Sequence, residues 1–187
     1  ACSNDPKFIE GIWGPYLHAM IPGTWLTEGG QSAVGSLVDH VIDSMTSSHT
    51  NDLLINYRHA EGKSLRDEAR QENCSVFDIL NEQLVCLAAQ KSITIPTLTS
   101  HLHVLPYWHG NRSPRYVVNA LFDLIKVDRA DPTLHGMISG LTLSDSLAII
   151  YLATLQAIAL GTRHIINEMN KVIKLYSLMD VGSISFV

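Results

Sequence analysis

Glu28-Gly29-Gly30-Gln31-Ser32 sets one carboxylate, two glycines and two hydrogen-bonding side chains directly before an apolar pattern of helical spacing. Glycines let a backbone approach a ligand closely, and the unpaired amides at a helix start attract an anion, so the stretch could seat a phosphate. The same residues also make a plain helix start, with Gly29-Gly30 as a tight turn, Ser32 as the cap and Glu28 favouring the helix dipole. Local chemistry leans to the plain start, because no Walker lysine follows and the spacing fits no dinucleotide fingerprint.

His101, His103 and His109 form a second candidate. The first two are two apart on a predicted strand and so share a face. A zinc site would need a carboxylate or thiolate partner at a recognisable spacing; none is supplied, which favours satisfied or exposed histidines over a metal. No Gly-x-Ser-x-Gly elbow supports a serine hydrolase. His109-Gly110-Asn111-Arg112-Ser113-Pro114 offers donors at the end of that strand, where open α/β sheets bind ligands. Equally, it could be a loop fixed by Pro114, with Arg112 paired to a neighbouring carboxylate.

These residues need elements to position them. Phe8–Trp13 and Tyr16–Ile21 are short apolar runs around Gly14-Pro15, closed by Pro22-Gly23, and predict a hairpin. Val34, Leu37, Val38, Val41, Ile42 and Met45 recur at helical spacing, so a helix follows the glycines. Ser47–Asn73 is a polar excursion with room for a short helix, and Val76–Ala89 returns to helical period with Phe77, Leu80, Leu84 and Leu87 on one side. Leu102–Tyr107 predicts a buried strand and Gly136–Leu143 another. Leu147–Met169 is a long apolar helix with Ser144 and Asp145 as cap candidates. Strands alternating with helices predict an α/β sheet domain.

Composition narrows the function classes. A chain of 187 residues, 46% of them hydrophobic, can bury one real core. The net charge of -5 and the scattered Lys and Arg leave no basic stripe for nucleic acid. Cys2, Cys74 and Cys86 are odd in number and lack CxxC spacing, which argues against a disulfide framework and fits a reducing cytoplasm. Tyr151, Thr154 and Gln156 interrupt the apolar run Leu147–Leu160, which falls short of the roughly 20 residues of a membrane span. The polar stretch Ala1–Glu10 is no secretory signal, and a first residue other than Met suggests a piece of a longer protein.

Longer motifs carry a resemblance. Pro22-Gly-Thr-Trp-Leu-Thr-Glu-Gly-Gly-Gln-Ser-Ala-Val-Gly35, His109-Gly-Asn-Arg-Ser-Pro114, Ala130-Asp-Pro-Thr-Leu134 and Gly136-Met-Ile-Ser-Gly-Leu141 occur in order. Ile150, Ala153, Thr154, Leu155 and Gln156 follow, with Ile149 where a polar residue is usual. Together they resemble the FGGY carbohydrate kinases, specifically the ribulokinase-like branch. The resemblance implies ATP-dependent phosphorylation of a pentulose such as ribulose, with Mg²⁺ between the phosphates and a carboxylate base on the attacking hydroxyl. It implies two actin-like, ribonuclease H-like α/β domains, of which residues 1–171 would be part of the second. By the same resemblance Glu28 contacts the sugar and Gly30 approaches the nucleotide, with Gln31 as a further candidate there.

The departures from the family pattern set further expectations. The Asp-Gly-Thr loop, the catalytic aspartate and the Gly-Thr-Ser loop would lie upstream of Ala1, so no catalytic residue is assigned and the chain alone is expected to be inactive. After Lys171 a strand is expected but no Gly-Gly turn follows, which makes 172–187 a divergent tail. Residues 116–129 separate two motifs that are nearly contiguous in the family and are read as translated intron or mispredicted coding sequence. The competing reading is a non-catalytic sugar-binding or structural remnant acting through Glu28, and a weaker one is a His-based metal hydrolase. A half sheet without its neighbours is also expected to expose apolar surface and aggregate.

Overall fold

The computed structural model describes residues 1–9, 11–46, 65–113 and 134–177. The chain divides into two compact units, one of Ala1–Ser32, Tyr107–His135 and Ile158–Val187, the other of Ala33–Pro106 and Gly136–Ala157. The segment 116–129 and residues 178–187 of the tail lie outside the described residues.

The first unit is built on a three-stranded antiparallel sheet of β1 (Cys2–Ser3), β2 (Trp13–Leu17) and β3 (Trp25–Glu28), in the order β1-β3-β2. The hairpin expected between Phe8–Trp13 and Tyr16–Ile21 is not formed; β2 instead pairs with β3, and the turn lies between Leu17 and Trp25, where Gly23 and the His18 ring close the loop through a 2.8 Å hydrogen bond. Gly14-Pro15 sits inside β2, where the register shifts between Trp13 and Tyr16. The pair reads as a turn because Gly and Pro usually end strands; here Gly14, at φ +108, accommodates an irregularity on a strand edge instead. Beneath the sheet Ile9 and Ile12 are buried with Ile165 and Met169 in one apolar cluster.

The second unit is mainly helical. α1 (Val34–Thr46), α2 (Leu65–Gln71) and α3 (Val76–Lys91) are followed by a 3₁₀ turn over Ile95–Thr99. α1 lies where its apolar period predicts, burying Leu37, Val38, Val41 and Ile42. Its first backbone bond, from the Leu37 amide, goes to Ala33. The cap position therefore falls on Ala33, at φ +54, and not on Ser32. The first turn of α1 itself holds no acidic residue. On the exposed side, Arg66 of α2 bonds Asp43 at 2.6 Å and Asp39 at 2.8 Å, which holds its guanidinium protonated beyond the ordinary range.

α3 starts at a capping box in which the Ser75 hydroxyl accepts from the Phe77 amide and Asp78 accepts from the Ser75 amide. Its buried stripe is Val76, Leu80, Leu84 and Ala88: Leu80 and Leu84 are buried as predicted, while Val76 and Ala88 take the places of Phe77 and Leu87, and Phe77 reaches the surface and meets Tyr151. The predicted buried strands are shorter and more exposed. β4 (His103–Leu105) and β5 (Met137–Ser139) form an antiparallel two-stranded sheet with no fully buried residue.

α4 runs from Leu147 to Ser177, so the chain stays helical past Lys171, where a strand was expected. Ser146 caps it: its carbonyl takes the Ile150 amide and its hydroxyl the Ile149 amide, displacing Ser144 and Asp145 from that role. Continuing the helix beyond Leu160 makes Leu147–Lys171 long and apolar enough, by length and composition, to cross a membrane. The apolar run alone stops short because it ignores helical continuity. Leu147, Ala148, Ile149, Ile150, Ala153 and Thr154 are buried in the second unit, and buried core helices pass the same test. The α/β expectation thus holds as mixed helix and sheet, while every strand pairing among the described residues is antiparallel. For β2 and β3 the short connection between Leu17 and Trp25 allows only that arrangement, since parallel strands need a crossover.

Candidate functional site

Glu28 ends β3 and Gly29-Gly30-Gln31 carry the chain away from it. Why the first glycine is required is visible in its surroundings: a Cβ on Gly29 would stand 2.7 Å from Ile165 Cγ2 and 3.1 Å from both Ile12 Cδ1 and Ser113 Oγ. The loop is pressed onto the apolar cluster at that point. A Cβ on Gly30, by contrast, would meet nothing within 4 Å. The backbone there is open to approach.

Gln31 fastens the far end of the loop to α4. Its Nε2 donates to the Ile158 carbonyl at 2.8 Å and to Thr162 Oγ1 at 2.9 Å. Both amide protons are therefore used within the fold. Thr162 Oγ1 in turn donates to the Ile158 carbonyl at 3.1 Å. The Gln31 side chain lies directly on Gly161, where any Cβ would collide with its amide. Gln31, expected at the nucleotide by resemblance, braces the loop through its amide protons and also lies on the cavity lining.

Glu28, Gly30 and Gln31 all line one cavity of about 310 Å³ within the first unit. Its size is at the lower end of small-molecule pockets, which run roughly 300–1,000 Å³. Met20 and Leu26 of the hairpin and Ile165, Ile166 and Met169 of α4 supply apolar walls, and Thr162 adds a hydroxyl. Among the described residues Glu28 is the only charged side chain on the lining. Its carboxylate is exposed and has no hydrogen bond or ion pair among the described residues. Acceptor-only chemistry at the rim of an apolar cavity suits a hydroxyl donor.

The loop after β4 separates by role. Asn111 and Ser113 are buried; the Ser113 amide donates to Asn111 Oδ1 and its hydroxyl to the Gly11 carbonyl at 3.0 Å. Arg112 stays exposed and lies over the Trp13 ring, 4.2 Å from its centroid, and among the described residues it has no carboxylate partner of the kind the loop reading allowed. Trp13, Gly161 and Thr162 carry no local motif and were not anticipated.

His101 is accounted for by structure. It precedes β4, and its Nε2 lies 2.8 Å from Asp145 Oδ1. Burial pushes the Asp145 carboxyl up, but the Thr142 amide at 2.7 Å and His101 outweigh it and hold the group below its ordinary value. Among the described residues no three His, Cys, Asp or Glu are gathered where they could hold a metal ion. The second signature is also structural: Thr154 Oγ1 donates to the Ile150 carbonyl at 2.8 Å, and Gln156 bonds Thr99 and the Pro96 carbonyl.

Comparison with known proteins adds to this geometry. Residues 1–185 match the family model for the FGGY family of carbohydrate kinases, C-terminal domain. An FGGY carbohydrate kinase domain-containing protein of Danio rerio is 41% identical over 174 residues, 91% of this chain and 27% of that protein. The Homo sapiens protein of the same description is 44% identical over 170 residues, 89% of this chain and 25% of its own length. A D-ribulokinase of Saccharomyces cerevisiae is 32% identical over 173 residues, 90% of this chain and 20% of the yeast protein. The chain spans about a quarter of the length of the first of these relatives. Matched along nearly its whole length, it belongs to the FGGY family of carbohydrate kinases, as a C-terminal domain.

Proposed function

We propose that the chain is the sugar-facing part of an ATP-dependent pentulose kinase, with ribulose the type of substrate, in an actin-like, ribonuclease H-like domain of a cytoplasmic enzyme. The observation that carries the reading is Glu28, a charged side chain on the otherwise uncharged described lining of the first unit's cavity, at the motif position that resembles a sugar contact. Similarity to the yeast D-ribulokinase, and to a Staphylococcus aureus ribulokinase at 30% identity over 160 residues, supports a pentulose.

In this reading Glu28 accepts a hydrogen bond from a sugar hydroxyl and orients the polyol. Gly30, with free space beside it, lets a nucleotide approach the backbone. Gln31 holds the loop that carries both and does not itself touch the nucleotide. MgATP, when bound, supplies the phosphoryl group. Among the described residues no three His, Cys, Asp or Glu side chains are gathered for the cation. With no catalytic carboxylate assigned in this chain to take the hydroxyl proton, the 187 residues alone turn over no substrate. ADP release by the purified chain with ATP and D-ribulose tests this: background rates are expected, and ribulose-dependent turnover would overturn it.

A further inference from the structure

The strand pair that carries Glu28 also carries Trp13. The two residues are register partners across β2 and β3, so their side chains leave the same face of the sheet. Arg112 lies on the Trp13 indole. The loop is anchored on either side of it by the buried Asn111 and Ser113, which leaves the guanidinium presented by a fixed backbone. Neither the Arg112 guanidinium nor the Glu28 carboxylate has an ion-pair partner among the described residues. The two exposed charges are therefore solvated and left open to a ligand that can use both. Stacking occupies the flat face of a guanidinium and leaves its edge N–H donors free and oriented.

We propose that Arg112, which stands beside Trp13 and outside the lining of the cavity, is a second sugar-binding residue, donating from its edge to neighbouring oxygens of a polyol whose hydroxyl Glu28 accepts. This rests on the sugar-kinase reading of Glu28. A polyol is the chemistry that satisfies both groups, because each hydroxyl donates and accepts while Glu28 only accepts and Arg112 only donates. Adjacent oxygens on a ketopentose match the fork of a guanidinium. Trp13 holds that fork in place, so little side-chain freedom remains to be lost on binding.

Trp13 also provides the readout. With Trp25→Phe and Trp108→Phe it is the sole indole, and its emission senses the guanidinium above it. D-ribulose, ribitol and inorganic phosphate are titrated against this protein and its Arg112→Met, Arg112→Lys and Glu28→Gln derivatives, each first checked for native far-UV circular dichroism. Saturable sugar binding is expected, weakened about tenfold or more by Arg112→Met, the worth of one charge-assisted hydrogen bond, and partly restored by Arg112→Lys. Sugar affinity unchanged in Arg112→Met but lost in Glu28→Gln would overturn the role of Arg112 and leave the kinase reading standing. Arg112-dependent phosphate binding tighter than that of either sugar would replace the polyol with an anion. No saturable sugar binding by any well-folded variant would remove both.

Discussion

Gly161 and Gln31 are 130 positions apart in sequence and share one space, and substituting both predicts a change of sign. Alanine at Gly161 in the middle of α4 should gain about 1 kcal/mol of helix stability over glycine. Its Cβ, however, would fall on the Gln31 amide, with Cδ at 2.8 Å and Nε2 at 3.1 Å. The amide must then leave Ile158 and Thr162, giving up two hydrogen bonds at about 0.5–1.5 kcal/mol each. Gly161→Ala alone should therefore be neutral or destabilising by up to about 2 kcal/mol. In a Gln31→Ala background the obstruction is gone, and the same substitution should stabilise by about 1 kcal/mol. Urea unfolding of the four proteins gives the coupling directly, at about 1–3 kcal/mol. Additive effects, with Gly161→Ala changing stability equally in both backgrounds, would refute the brace.

Gly29→Ala should destabilise by about 1–3 kcal/mol through overpacking against Ile165 and Ile12, whereas Gly30→Ala should stay within about 0.5 kcal/mol; equal melting shifts for the two would contradict the packing described. Asp145→Asn should cost about 1–3 kcal/mol at neutral pH by weakening the bonds from Thr142 and His101. Because the folded carboxyl titrates below its ordinary value of 3.8, its stabilisation is present above that value and lost as pH falls through the lower folded one. The difference between Asp145→Asn and the parent should thus shrink under acid, and a gap that widens instead would reverse the sign of the argument.

The sequence shows the parts of this fold that depend on local pattern. α1 and the buried face of α4 follow from apolar periodicity, and Glu28, Gly30 and Gln31 from an ordered motif. What it hides is set by distant partners. The Gln31 amide bonds a helix more than 120 residues away, so its donors could equally have served a ligand. Gly161 was a usable signal, since a glycine inside a helical pattern usually marks a close approach. Gly14-Pro15 reads as a turn by composition and becomes a strand irregularity only because β3 pairs across it. Arg112 and Trp13 meet through the fold of the first unit, and no spacing between them announces it.

The central claim, that Glu28 meets the sugar, is tested most directly by equilibrium dialysis of labelled D-ribulose against the chain and its Glu28→Gln variant. The account predicts weak, saturable binding to the parent and at least about tenfold weaker binding to the variant, as expected for a lost charge-assisted hydrogen bond. Equal binding by both proteins would contradict it.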